Sequence, residues 1–95
     1  MLPEAKEKLV DNMADNLPVL RKKAKLSQEE LANIIVSSRY TIMSIESKNR
    51  RMTWGTFLSL ILLFDKNSET SALLRALDIY TDELDDYLKK PEMEM

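Results

Sequence analysis

The residue types that most often carry out catalysis are missing from this 95-residue chain. It contains no Cys and no His, which excludes disulfides, thiolate metal sites and the commonest metal ligand and general base. A catalytic base would have to be Asp, Glu or Lys, and the acids cluster on helix faces that the sequence predicts to be exposed. The only glycine is Gly55, so no glycine-rich loop exists to hold a phosphate. We therefore expect a protein that is not an enzyme and needs neither a cofactor nor a metal.

The side chains most able to recognise another molecule lie in the stretch LSQEELANIIVSSRYTIMSIE. This stretch is typical of two short helices joined by barely a turn. In the second helix, Arg39, Tyr40 and Ser44, followed by Ser47, occupy positions that its apolar residues leave free. Such a face is either simply solvated or shaped to be inserted into a partner.

Charge is distributed unevenly along the chain, although its net value is only −2. Residues 20–51 contain eight basic and three acidic residues, while residues 1–19 contain two and four, and residues 65–95 contain four and nine. A basic block favours binding of a polyanion such as nucleic acid. The negative net charge and the acidic flanks argue against such a partner. A simpler alternative is that the block is only a solvated face.

Helix signals begin close to the N-terminus. Pro3 suits a first helical turn, and apolar residues follow at a spacing of four. Because Pro18 has no backbone N–H and Asn16 caps helices well, we expect a kink or a restart there. The sequence SQEE then predicts a capping box, in which Ser27 and Glu30 each satisfy a backbone N–H of the other.

The second half of the chain also predicts helices. Ser38 and Thr53 are the expected N-caps of two of them. The stretch FLSLILLF is apolar almost all round, so its helix must be covered on more than one side. Two more helices are expected over 69–78 and 82–90, and residues 91–95 are expected to fray.

The order of capped helix, short turn, short helix, basic loop and apolar helix resembles the lambda-repressor-like (Xre-type) helix-turn-helix family of DNA-binding regulators. The stretches LRKKAKLSQEELA and SSRYTIMSIE carry this resemblance, which covers residues 17–64. It implies an all-α fold in which a compact five-helix helix-turn-helix core, residues 17–66, has extra terminal helical segments. These segments are an N-terminal extension, 1–16, and a C-terminal segment, 67–95, used in packing or dimerisation.

The resemblance also implies a site. Ala32 would let the two helices approach closely, and Ile42 and Ile45 would hold the second helix so that its outer face enters the major groove of double-stranded DNA. The residues expected to read bases are Ser38, Arg39, Tyr40 and Ser44. The residues expected to contact phosphates are Gln28, Thr41, Ser47, Lys48, Asn49, Arg50 and Arg51.

The turn departs from the family pattern, which places Gly and then an apolar residue where this chain has Val36 and Ser37. A β-branched residue disfavours the positive φ that glycine supplies. Two alternatives follow: either the turn is distorted, or the preceding helix continues and places Val36 in the core.

These observations favour a sequence-specific transcriptional regulator that binds double-stranded DNA in the cytoplasm, reading the major groove with helix 39–46. Surplus apolar surface is expected on helix 54–64 and on Leu73, Leu74, Leu77, Ile79 and Leu84. Either residues 69–90 fold over that helix within one chain, or part of this surface meets a second chain, and a homodimer is expected on the second alternative. The alternative is an antitoxin or adaptor-type interaction module, whose acidic C-terminal helices bind a basic protein partner. No apolar run approaches the roughly 20 residues of a membrane span, so no membrane partner is expected.

Overall fold

The computed structural model describes residues 1–89, and within them the chain forms six helices and no strand. The all-α prediction is confirmed, but residues 17–66 contain four helices, the first of them only in part, and not the expected five. Residues 91–95, which were expected to fray, lie outside the described range. So does residue 90, the last residue of the helix predicted over 82–90. No helix within residues 1–89 is both long enough and apolar enough to span a bilayer. The helices are α1 (Pro3–Lys23), α2 (Gln28–Ile34), α3 (Arg39–Glu46), α4 (Trp54–Lys66), α5 (Ser71–Ala76) and α6 (Asp82–Lys89).

Helix α1 runs through Pro18 without interruption, so the predicted restart is wrong. A proline inside a helix costs about 3 kcal/mol because one backbone hydrogen bond is lost. Met13, Leu17 and Leu20 lie on both sides of the proline and are fully buried, and this shared packing stabilises one continuous helix. The domain limit expected between residues 16 and 17 therefore falls inside α1.

All six helices contribute to one buried core. Helix α4 contacts both α1 and α5, which is how its nearly all-round apolar surface is covered. Leu62 is the exception on this helix, since 64% of it remains exposed. The buried apolar residues are Leu9, Val10, Met13, Leu17, Leu20, Leu31, Ala32, Ile42, Ile45, Met52, Phe57, Leu60, Ile61, Phe64, Leu74, Ile79 and Leu84.

The three predicted N-caps are all present. The Ser27 hydroxyl accepts the N–H of Glu30 at 3.0 Å, and the Glu30 carboxylate accepts the N–H of Ser27 at 2.8 Å. Ser38 caps α3 by accepting the N–H of Thr41 at 3.0 Å, and Thr53 caps α4 in the same way. The hydrogen bond from the Ser27 N–H lowers the pKa of Glu30 below its ordinary value of 4.5. Local capping chemistry thus fixes where α2, α3 and α4 begin.

Four helices end with the same hydrogen-bond pattern, known as the Schellman motif. After α2, for example, the N–H of Val36 reaches the carbonyl of Asn33 at 3.4 Å, and the N–H of Ser37 reaches that of Ala32 at 2.7 Å. The motif needs one residue in the left-handed conformation, a position that glycine usually occupies. None of the four is glycine here. The four residues are Lys25 (φ 61°), Val36 (φ 55°), Lys48 (φ 67°) and Asp78 (φ 56°).

Candidate nucleic-acid interface

The candidate interface is built on the packing of α2 against α3. Ala32 of α2 and Ile42 and Ile45 of α3 are at most 1% exposed and belong to the same core cluster. A small residue at position 32 suits the close approach of two helices joined by a short turn. With Ile42 and Ile45 directed inward, the opposite face of α3 is directed outward.

The turn between α2 and α3 has the conformation that a glycine would adopt, although the residue is valine. Helix α2 ends at Ile34, and Val36 is 92% exposed at φ 55°. The alternative in which α2 continues and buries Val36 is therefore wrong. A β-branched residue in this region is strained by about 1–2 kcal/mol. The hydrogen bond from the N–H of Ser37 to Ala32 holds the turn in place despite that strain.

Three large side chains of α3 form its outer face. Arg39 is exposed and pairs with no acid within residues 1–89, while Tyr40 is 63% and Met43 is 41% exposed. Met43 was not among the residues expected to read bases. The signal that identifies it is its helical spacing, because it lies four residues after Arg39 and three after Tyr40 and so shares their face.

Two of the four expected base-reading residues have other roles in the structure. Ser44 is only 6% exposed, so the expectation that it faces a groove is wrong. Its carbonyl instead accepts the backbone N–H groups of Asn49 and Arg50 at 2.9 and 3.2 Å. Ser38 is exposed, but its hydroxyl is engaged in capping α3 and lies 2.9 Å from the hydroxyl of Thr41.

Arg50 connects the basic loop to the outer face of α3. Its guanidinium lies 5.6 Å from the centroid of the Tyr40 ring, and Nη1 donates to the hydroxyl of Thr41 at 3.1 Å. A cation over an aromatic face at this distance is attracted by the ring. Tyr40, Thr41 and Arg50 therefore form one polar and cationic cluster, and Arg39 precedes Tyr40 on the same helix.

The other two bases of the loop are directed toward α1. Lys48 forms an ion pair with Asp15, and Arg51 forms one with Asp11 at 3.0 Å and one with Glu7 at 3.8 Å. All five side chains are more than half exposed. Two residues expected to bind phosphate are thus already paired with carboxylates of the same chain.

Gln28, the remaining expected phosphate ligand in α2, lies in a structural network. Its side-chain amide donates to Glu46 at 3.1 Å. Arg21 contacts the same carboxylate through two hydrogen bonds, of 2.7 and 3.1 Å, and also donates to the carbonyl of Leu26 at 3.0 Å. The Arg21 and Glu46 side chains are only 12% and 9% exposed. This network fastens the end of α3 to α1 and to the start of α2.

Ser47 and Asn49, at the end of α3, complete the expected phosphate set. Both are exposed, and the Ser47 hydroxyl donates to the carbonyl of Ser44 at 3.2 Å.

Within residues 1–89, no cluster of three acids is placed to hold a metal ion. The arrangement offers cations, an aromatic ring and hydroxyls on one ridge, which suits recognition of an anionic and aromatic partner.

Comparison with known proteins adds no relative to this description. No protein family, no curated protein sequence and no solved structure matches the chain. Conclusions about its function therefore depend on its own residues and their geometry.

Proposed function

We propose that this protein is a sequence-specific transcriptional regulator that binds double-stranded DNA by inserting the outer face of α3 into the major groove. The observation that carries the proposal is the position of Arg39. It lies at the first turn of α3, exposed and without an acidic partner in residues 1–89. The major groove, about 12 Å wide, admits one helix, and the first residues of such a helix reach the base edges.

The outer face of α3 supports distinct roles for its side chains. Arg39 is suited to guanine, since a guanidinium can donate to O6 and N7 together. Tyr40 and Met43 present apolar surface to a thymine methyl group. Arg50, held against Tyr40, is placed to meet the phosphate backbone beside the groove and to fix the orientation of the protein.

Binding as a homodimer is part of the proposal, and its support is smaller than the sequence indicated. Leu74, Ile79 and Leu84 were expected to supply surplus apolar surface, but they are fully buried within the chain. One apolar patch that remains exposed lies between α2 and α4, where Val36 and Leu62 line the same groove. To bind a palindromic site, a dimer must place its two α3 helices about 34 Å apart, one turn of DNA.

Selection of bound duplexes from a random pool, followed by titration of a labelled winner, tests the proposal. Replacing Arg39 by Ala should reduce discrimination between the selected site and a random duplex by about 1–3 kcal/mol. Sedimentation of the protein with and without DNA gives the oligomeric state. If no duplex binds more tightly than random sequence at any salt concentration, the proposal fails.

The alternative, an adaptor that binds a basic protein partner, is favoured by the exposure of Asp82, Glu83 and Asp86 on α6. Charge reversal distinguishes the two functions. Reversing Lys48, Arg50 and Arg51 together should abolish DNA binding, whereas reversing the three acids of α6 should abolish binding of a basic partner.

A further inference from the structure

Three carboxylates of α1 form a stripe beside the basic loop. Glu7, Asp11 and Asp15 are four residues apart, so they lie on one face of the helix. They hold Lys48 and Arg51 in three ion pairs that connect residues distant in sequence. We call these three residues the acidic stripe.

The acidic stripe balances the loop in charge. Lys48, Arg50 and Arg51 carry three positive charges, and the stripe carries three negative ones. Phosphate binding depends on the local positive potential and on how many cations can contact phosphates. Only Arg50 is directed toward α3, so the loop presents one available cation where the sequence suggests three.

The ion pairs are suited to being exchanged. Ion pairs between exposed side chains are weak and are screened by salt. Each pair lowers the affinity of its cation for another anion by a factor of about five at most. A DNA phosphate placed near the loop can therefore displace a stripe carboxylate, but only at a cost in affinity.

We propose that the acidic stripe is an internal competitor for the DNA backbone, which withholds Lys48 and Arg51 from phosphates; this inference depends on the DNA-binding function proposed above. Binding to random DNA comes almost entirely from phosphate contacts, whereas binding to the correct site also includes base contacts. The stripe therefore weakens the phosphate contacts that both kinds of DNA share, so it leaves the ratio of the two affinities unchanged and makes stable binding depend more on the base contacts.

The test compares two variants that carry the same change in net charge. Variant Glu7→Gln/Asp11→Asn/Asp15→Asn neutralises the stripe. Variant Asp82→Asn/Glu83→Gln/Asp86→Asn neutralises three exposed acids of α6 that form no ion pair with the loop. Fluorescence anisotropy measures binding of each full-length protein to a labelled random-sequence duplex between 50 and 300 mM salt.

Neutralising the stripe should tighten binding to random duplex about 25-fold at 50 mM salt, about fivefold for each of the two cations that become available. The slope of log K against log salt concentration should become steeper by about 1.8, or 0.9 for each added phosphate contact, so the gain should disappear near 300 mM. The α6 variant should change affinity less than about twofold. In a Lys48→Ala/Arg51→Ala background, neutralising the stripe should give no more gain than the α6 variant does.

The outcomes separate this inference from the proposed function. If the wild type binds duplex and the stripe variant binds no tighter than the α6 variant, the competitor role is wrong and the DNA-binding function stands. If neither protein binds any duplex, both proposals fail. Circular dichroism checks that each variant folds; should the triple variant unfold, Asp15→Asn alone releases Lys48 and should steepen the slope by about 1.

Discussion

Replacing Val36 by glycine should stabilise the protein. A non-glycine residue in the left-handed region costs about 1–2 kcal/mol, and a β-branched residue lies at the unfavourable end of that range. Glycine removes this strain but gives the unfolded chain more freedom, which costs about 0.5–1 kcal/mol. Since the Val36 side chain is 92% exposed, deleting it loses only about 0.2 kcal/mol of apolar burial.

The net gain in the free energy of unfolding is therefore about 0.5–1 kcal/mol. For a domain of 60–100 residues, 1 kcal/mol shifts the melting temperature by roughly 4–8 °C, so we expect an increase of about 2–8 °C. Thermal melting followed by circular dichroism and urea titration both measure the effect. The urea midpoint should rise while the dependence of the free energy on urea concentration stays constant.

A matched control uses the same substitution at a helical position. Val19 is 52% exposed inside α1, where valine is unstrained, so Val19→Gly should destabilise by about 1 kcal/mol through backbone freedom and lost burial. Val36→Ala retains the Cβ atom and should gain less than Val36→Gly. A melting temperature that is unchanged or lower for Val36→Gly would show that the turn carries no strain, and the account of this helix end would be wrong.

Three further predictions concern the site and its support. Glu46→Ala leaves the guanidinium of Arg21 buried and unpaired, and should lower the free energy of unfolding measured by urea titration by about 3 kcal/mol. If replacing an exposed acid by Ala lowers it equally, the structural role of this network is wrong. The lowered pKa of Glu30 means that its capping contribution is complete above pH 4.5 and is lost as pH falls through the lowered value. The melting temperature of Glu30→Gln should accordingly fall less than that of the wild type below pH 4.5, and parallel curves would exclude this role. Arg50→Ala should weaken binding to all duplexes alike and reduce the salt slope by about 0.9, whereas a sequence-dependent loss would indicate base contact.

The parts of the fold that the sequence predicted are those decided by local chemistry. The caps at Ser27, Ser38 and Thr53 depend on side chains bonding to N–H groups within the next turn, so their positions can be found without the rest of the chain. The continuity of α1 through Pro18 is not local, because it depends on core residues contributed by other helices. Proline chemistry alone left a restart open as one of two outcomes, and the continuous helix excludes it.

In the candidate site too, the sequence predicted what local helical spacing decides and missed what the assembled fold decides. Arg39 and Tyr40 follow from helical spacing, and so does the exposure of their face. The burial of Ser44 was missed because its polarity suggests exposure, while the neighbouring Ile45 directs that side of α3 into the core. The pairing of Lys48 with Asp15 joins residues 33 apart in the chain, and only the assembled fold brings these two charges together.

The continuity of α1 has a mechanical consequence. At 1.5 Å per residue, its 21 residues span about 30 Å, and Arg21, near its C-terminal end, grips Glu46 at the end of α3. A displacement of the first turn near Pro3 is therefore connected to the end of α3 through one continuous helix. The orientation of α3 is thus coupled to whatever holds the first turn of the protein.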